Sequence, residues 1–519
     1  MKRARVEHST VAVVLLLYGL LIVPVALWPK SNALIGMAWT CLYSLIALGL
    51  ALEFTEVLFA FLWPPMRIQC FQGRINRRST AVLMTTCNDT DPSAVAALMA
   101  LSEAGYSVYL LDDSSSEPFL SEEIRASIIY RRRPTRVGAK AGNLNDWVGQ
   151  YGDRYSNIVL LDSDSTMTVH AVDTLVRAAE HPDNAEVAIF QSKIEPRCDC
   201  GCSRLSAVLG AGARPRARIL ERVHARLGVL LSFGHNQLIR LDHLRLAGGF
   251  SEVFSSEDTA LSLAISALGL RTELVDVWSF DTEPRTIDSW VRRTVRWSRQ
   301  TVELFQGDWS SCPLRLKLLL CRHLLSYALP LIGLVLLIIS LATGPRSPND
   351  VIEFSKCALR LDEGYTLYGF SIWSTLAILA LSMVLRFTLA LVEGVPLGLL
   401  MASVITAPAL QAIPLAPVAF GMIASAIGCR TRFIPTNCRE PKRGARGGIA
   451  PGLAYCGVTW AIGMVLLAIG VTRPGTALVG FNAIWVSAFV MSPIVSITLA
   501  GRSPRKDTPT PQMESADET

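Results

Sequence analysis

Asn157-Ile158-Val159-Leu160-Leu161-Asp162-Ser163-Asp164 joins an apolar run to two carboxylates one residue apart. A short run of this kind, ending abruptly in polar residues, reads as a strand buried on both faces, the pattern of a parallel sheet covered by helices. Four other stretches repeat it, at 81–85 (Ala-Val-Leu-Met-Thr), 107–111 (Ser-Val-Tyr-Leu-Leu), 127–130 (Ser-Ile-Ile-Tyr) and 186–190 (Glu-Val-Ala-Ile-Phe), each followed by polar or helical sequence. Residues 67–313 therefore read as an α/β domain with a core of its own. In such a domain the loops leaving the carboxyl ends of the strands form the ligand site.

Outside this block the character changes. The whole chain is 51% hydrophobic with 18% charged residues, too apolar for a soluble protein and too charged for lipid-embedded helices alone. Apolar runs at 10–28 and 36–63 precede the block, and others follow at 318–343, 367–392, 450–471 and 477–500. Crossing a bilayer core of about 30 Å takes about 20 apolar residues, so six spans are expected. The stretch 395–428, interrupted by Pro396, Pro408, Pro414 and Pro417, reads as an interfacial or re-entrant element, with a short hairpin as the alternative. Arg67, Arg74, Arg77 and Arg78, and the basic loop 429–449 with Arg430, Arg432, Arg439, Lys442, Arg443 and Arg446 against Glu440, belong on the cytosolic side. The expected organisation is an N-terminal helix pair (1–66), a cytosolic α/β domain (67–313), C-terminal transmembrane and interface helices (314–500) and a disordered tail (501–519).

The net charge of +6 is modest, and much of the basic excess flanks membrane segments, where it sets orientation; no nucleic-acid partner is implied. The N-terminal apolar run exceeds a cleavable signal and is followed at once by another, so it reads as a retained anchor. Twelve cysteines show no paired framework and read as reduced or lipid-buried thiols. Cys198-Asp199-Cys200-Gly201-Cys202 lacks a partner motif for zinc.

Four polar signals follow predicted strands. Asn88 lies in the first, Thr86-Cys87-Asn88-Asp89-Thr90-Asp91-Pro92, and Asp112 and Asp113 open the second. Each alone reads as a helix cap; together they suggest a pocket for the base and ribose of a nucleotide. Lys140-Ala141-Gly142-Asn143 opens a helix, where a lysine and a close backbone approach suit a diphosphate. Asp162 and Asp164 flank a turn and suit a hard divalent cation, Mg²⁺ or Mn²⁺, because two close buried acids without a cation are costly.

Two further clusters complete the soluble block. Ser255-Ser256-Glu257-Asp258 opens an apolar helical run, and Arg293-Thr294-Val295-Arg296-Trp297 closes the block just before the chain returns to lipid. Arg293 and Arg296, three residues apart, share one helix face. A carboxylate that takes a proton and a cationic face that holds phosphate are the two ends of a group transfer from a phosphorylated donor to a hydroxyl. Binding of the arginines to anionic membrane lipids is the competing explanation. Gly234-His235-Asn236 sits just upstream of Gly248-Gly249-Phe250.

The ordered set Asp-Asp, Lys-Ala-Gly-Asn, Asp-x-Asp, Glu-Asp and Arg-x-x-Arg-Trp resembles the processive, membrane-embedded family-2 glycosyltransferases: cellulose, chitin and hyaluronan synthases and, nearer, the periplasmic-glucan glucosyltransferases. The likeness covers about residues 80–310. Tyr130-Arg131-Arg132-Arg133, 140–147, 161–167 and 234–236 look most like the periplasmic-glucan branch, whereas Ser256-Glu257-Asp258 looks like cellulose synthase. The resemblance implies a GT-A-type nucleotide-sugar-binding α/β domain inserted between transmembrane helices. It implies that Asn88, Asp112, Asp113, Lys140, Asn143, Asp162, Arg293, Arg296 and Trp297 bind the nucleotide-sugar, that Asp162 and Asp164 hold the metal, and that Asp258 is the general base with Glu257 beside it. His235, Asn236 and Trp297 would meet the acceptor. Arg293 stands where the family's Gln-x-x-Arg-Trp motif has glutamine.

By the same resemblance the donor is a UDP-sugar, UDP-glucose foremost. The acceptor is a growing polysaccharide, and the setting is a bacterial inner membrane with its lipids, with the catalytic domain in the cytoplasm and periplasmic or export proteins as conceivable partners. Phe433-Ile434-Pro435-Thr436-Asn437-Cys438 is similar to the gating loop of cellulose synthases, although Pro435 and Cys438 depart from it; a plain basic linker is the alternative. Trp28, Trp39, Trp63, Trp373, Trp460 and Trp485 read as interfacial anchors or as sugar-stacking platforms. A non-processive transferase acting on a lipid-linked or single acceptor, and a transporter or inactive scaffold, are the alternatives. The spans hold few ionisable residues, chiefly Glu53, Glu56, Arg322, His323 and Arg386, which counts against transport.

Overall fold

Alternate residues of each apolar run pack on opposite sides of one seven-stranded sheet. The strands are β1 (Thr80–Thr86), β2 (Ser107–Asp112), β3 (Ile129–Arg132), β4 (Asn157–Asp162), β5 (Val187–Pro196), β6 (Gln237–Arg240) and β7 (Arg271–Asp281), in the order β3-β2-β1-β4-β6-β5-β7. The computed structural model describes residues 2–26, 33–88, 91–115, 122–197, 203–343, 366–429, 451–472 and 480–500. The loop 429–449 beyond Cys429, with its gating-loop likeness, Cys198 to Cys202, Trp28 and the tail 501–519 lie outside the described residues.

The helices are α1 (Lys2–Ala26), α2 (Ala33–Leu62), α3 (Pro92–Glu103), α4 (Glu122–Ser127), α5 (Ala139–Tyr151), α6 (Val169–Glu180), α7 (Arg204–Gly210), α8 (Ala213–Ile219), α9 (Leu241–Leu246), α10 (Glu257–Ala267), α11 (Ile287–Leu304), α12 (Leu314–Thr343), α13 (Thr366–Val392), α14 (Leu397–Ala412), α15 (Leu415–Ala426), α16 (Pro451–Thr472) and α17 (Gly480–Ala500). A π-helical turn, Leu220–His224, and a last turn, Ala225–Leu227, prolong α8.

Val82, Met84, Val159 and Leu161 meet Leu98 of α3 and Leu175 of α6, whereas Leu83, Ile158 and Leu160 meet Leu144 and Trp147 of α5 and Leu261 of α10. Burial on both faces is why these strands read as unbroken apolar runs. The expectation of a wholly parallel sheet is corrected: β6 runs antiparallel to both β4 and β5, while the other pairings are parallel. β6 is only four residues long, and β7 interleaves Glu273, Asp276 and Trp278 with its apolar positions, so neither shows the run that marks the other strands.

Among the described residues, 40–62 of α2 and 314–336 of α12 are long and apolar enough to cross a membrane. The pair α14 and α15, bent by 49°, makes a third if it is one span. Shorter apolar helical stretches lie at 10–23, 377–392, 455–468 and 486–499, so among the described residues length and composition alone give two or three of the six spans expected. The bend falls in the proline-interrupted stretch, and α15 lies along α11. Gln306 Nε2 donates to the Ser425 carbonyl at 3.0 Å, and the Ser425 hydroxyl donates to the Arg299 carbonyl at 3.1 Å. Four of the five ionisable residues expected in the spans form ion pairs, Glu53 with Arg386 at 2.7 Å and Glu56 with Arg322, and Glu56 also meets His224 at 3.0 Å. Trp63 stacks on Phe59 with ring centroids 4.1 Å apart.

Phe190 of β5 is fully buried in the main core, so Phe190→Ala is expected to cost about 3–5 kcal/mol. Thermal unfolding of the detergent-solubilised protein reads this as a clearly lowered midpoint, with Val253→Ala, at a 72% exposed position, leaving the midpoint unmoved.

Candidate active site

Strand ends, one glycine turn and two helix N-terminal segments assemble the site. Asp162 is the last residue of β4, and Asp164 lies in the turn after it; that turn is pinned by the backbone exchange between Thr166 and Phe280, next to the end of β7. Lys140, in the first turn of α5, reaches across and donates to Asp162 Oδ1 at 2.6 Å and to the Gly234 carbonyl at 3.0 Å, with Glu257 Oε1 3.6 Å away. One ammonium thus ties the strand acids to the acidic start of α10. Gly142 is required one turn on, since a Cβ there would lie 2.1 Å from the Val137 carbonyl oxygen.

His235 links the other acids. Its Nε2 lies 3.0 Å from Asp281 Oδ2, its Nδ1 2.9 Å from the Phe233 carbonyl and 3.7 Å from Asp162 Oδ2. Burial disfavours the imidazolium, yet Asp162 and Asp281 outweigh it and push His235 up to about 9. Burial likewise works against ionised Asp162, but Lys140 and His235 hold it below the usual carboxylate range. Asp164 goes the other way, pushed up to about 8 by burial and by Asp281, although Thr282 Oγ1 donates to its Oδ2 at 2.6 Å. Burial also raises Glu257 against the pull of Lys140.

Asp258 sits in the first turn of α10. Its Oδ1 accepts from the Ser256 hydroxyl and the Thr259 backbone N–H, both at 2.7 Å. Gly234, at φ +80°, packs on the other oxygen: a Cβ there would lie 3.0 Å from Asp258 Oδ2. Asp258, His235, Asp281, Arg293 and Trp297 line one cavity of about 620 Å³. On α11, started by a Thr286–Ser289 capping box, Arg293 pairs with Glu283 at 2.6 Å and lies 4.7 Å over the Trp297 ring. Burial lowers the Arg296 guanidinium, while Asp162, Glu257 and Asp258 hold its charge in place.

The remaining candidates form a second knot along β1 and β2. Asp112, fully buried, accepts from Tyr130 Oη at 2.7 Å and the Ser114 N–H at 2.8 Å. Asp113 makes a two-bond pair with Arg133, at 2.9 and 2.7 Å. The Asn88 N–H donates to the Ser114 hydroxyl at 2.7 Å, and Asn88 Oδ1 accepts from the Ser115 N–H at 2.8 Å. Asn143 is buried in α5, and Asn236 is fully buried, its carbonyl accepting from the Ser192 N–H at 3.1 Å. Asp281 and Thr282 were not singled out from the sequence, although an acid closing a strand is the signal that marked Asp162.

Among the described residues no group of three His, Cys, Asp or Glu side chains is set as a ready metal cage. Two carboxylates from Asp162 and Asp164, completed by phosphate oxygens and water, nevertheless suit a hard divalent ion. Burial, with repulsion from Asp281 and Asp162, raises Asp164, and a positive charge at the site would offset both.

Residues 157–425, just over half of the chain, match the model of the glycosyl transferase family group 2, and the chain belongs to that family. Among similar proteins are the glucans biosynthesis glucosyltransferases H. That of Xanthomonas oryzae pv. oryzae is 28% identical over 193 residues, covering 32% of this chain and 30% of that protein. That of Klebsiella pneumoniae subsp. pneumoniae is 27% identical over 270 residues, covering 44% of this chain and 30% of that protein. The matched regions thus span about a third of those relatives' length. A mannosyltransferase from Pyrobaculum calidifontis, solved with GDP-Man and Mn²⁺, aligns over 66% of this chain and 99% of its own at 17% identity and a TM-score of 0.46.

Gly234→Ala combines left-handed backbone strain, about 1–3 kcal/mol, with displacement of Asp258. Sugar-transfer turnover is expected to fall about 10²-fold, as a misplacement of about 1 Å within a site does, measured as nucleotide release at saturating donor alongside a thermal midpoint that shows the protein still folds.

Proposed function

We propose that this chain is an inverting, metal-dependent glycosyltransferase of the GT-A type that moves a hexose, glucose from UDP-glucose, onto a growing β-glucan and passes the product across the membrane. The observation that carries the reading is the Lys140 bridge from Asp162 to the acidic start of α10. It sets the strand-end acids, which suit a donor diphosphate, beside the carboxylate that suits an acceptor hydroxyl.

In this reading Asp258 Oδ2 takes the proton of the acceptor hydroxyl while that oxygen bonds to the sugar's anomeric carbon. The bond from that carbon to the diphosphate breaks in the same step, which inverts the centre and releases the nucleoside diphosphate. A positioned base contributes about 10²–10⁴-fold. A divalent ion held by Asp162 and Asp164 would supply positive charge to the departing diphosphate. Arg296 and Lys140 add fixed charge in a partly desolvated place. His235 orients Asp281 and Asp162, and Trp297, 40% exposed, offers an apolar face to a sugar ring, with Arg293 stacked upon it. Asn88, Asp112, Asp113 and Asn143 would shape the nucleotide end, and Asn236 would support His235 from within the sheet.

Asp258→Asn keeps the shape and removes the base, so UDP release and polymer formation by purified, detergent-solubilised protein are expected to fall about 10²-fold or more; wild-type rates would overturn the assignment of the base. EDTA is expected to abolish turnover and added Mg²⁺ or Mn²⁺ to restore it, whereas turnover that survives chelation removes Asp162 and Asp164 from the metal role.

A further inference from the structure

A larger cavity, of about 950 Å³, adjoins the catalytic one and shares Arg216, Phe233, His323 and Ser326 with it. One side of it comes from the membrane-side helices, with Leu319 of α12, Val384 and Phe387 of α13, and Leu400, Val404 and Leu410 of α14, and the other from the segment 208–233. Glu56 is the single acid in its lining, against Arg216, Arg322 and Arg386. Two of those arginines are committed, Arg322 to Glu56 and Arg386 to Glu53.

Arg216 is not. Its side chain is exposed where it lines both cavities. Among the described residues no carboxylate lies within ion-pair reach of it. Glu283, which it feels at longer range, is held by Arg293 at 2.6 Å. The guanidinium rests 5.6 Å over the Phe233 ring, with the like charges of Arg293 and Arg322 nearby. Burial, reinforced by those two arginines, pushes its pKa below the ordinary arginine value. Arg216 therefore presents an accessible guanidinium with no ion-pair partner among the described residues, and a guanidinium fork matches phosphate oxygens bidentately.

The two halves of the cavity ask for one ligand. Free phosphate would answer Arg216 and leave the apolar volume empty; a neutral oligosaccharide would fill the volume and leave the charge unanswered. We propose that this cavity binds a membrane lipid with a phosphate head, the phosphate on Arg216 at the mouth of the catalytic cavity and the hydrocarbon chain among the apolar residues of α12, α13 and α14. The volume lies within the range of ligand sites that enclose most of a molecule this size.

The test is equilibrium binding of radiolabelled farnesyl phosphate to the full chain purified in detergent, with no nucleotide-sugar present, so that it fails or succeeds separately from the transferase reading. Saturable binding is expected. Farnesol, which has the chain alone, and inorganic phosphate, which has the head alone, should each bind about tenfold more weakly or worse, and Arg216→Met should lose about tenfold or more, the worth of charge-assisted hydrogen bonds. Arg216→Lys should keep part of the affinity, and thermal midpoints show that both variants fold. Equal binding by Arg216→Met, equal binding of farnesol or of inorganic phosphate, or saturable binding of cellopentaose with none of farnesyl phosphate would each overturn the proposal.

Discussion

A single ammonium holds the catalytic half of the domain together. Lys140 lies between Asp162 at the end of β4 and Glu257 at the start of α10, two acids far apart in the chain whose repulsion would otherwise drive them apart in a desolvated pocket. The Lys140 charge is held firmly: burial opposes it, yet Asp162 and Glu257 raise its pKa above the ordinary lysine value. Around this bridge the other charges alternate in sign, with His235 between Asp162 and Asp281 and Arg296 facing Asp162, Glu257 and Asp258. Asp164 goes the other way: burial and the neighbouring charge of Asp281 raise its pKa.

The apolar helices that follow the α/β domain complete the candidate site. Helix α11 carries Arg293, Arg296 and Trp297 and is backed by α15, whose Gly421 lets Val295 approach so closely that a Cβ there would lie 2.9 Å from it. The bent pair formed by α14 and α15 therefore sets the height of the basic-aromatic cluster over the sheet edge. The same helices wall the cavity onto which Arg216 opens, so a ligand at the active site and one among the helices share a boundary.

Much of this was legible because burial on both faces writes itself as apolar runs. β1, β2, β4 and β5 announce themselves, and the polar residues that end them point to Asp162, Asp164 and Asp112. Lys140, Glu257, Asp258 and Arg296 were found by residue type and by a family resemblance; their convergence belongs to the tertiary structure. β6 and β7 were hidden by brevity and by interleaved charge, and Asp281 and Thr282 were hidden with β7. Within Gly234-His235-Asn236 the sequence marked the place but not the division of labour: Gly234 makes room for Asp258, His235 enters the site, and Asn236 is given to the sheet. Arg216 carried no motif, since what distinguishes it is the absence of a carboxylate within reach among the described residues.

The reversed direction of β6 bears on how the chain is made. On the ribosome, β1 to β4 emerge first and can pair in parallel, but the outer edge of β4 must wait for β6, because β5, and β7 beyond it, join the sheet only through β6. Until then β4 presents unpaired N–H and C=O groups, a template for aggregation. The turn that brings Gly234 to Asp258 and His235 to Asp162 is the same turn that delivers β6 to close the gap.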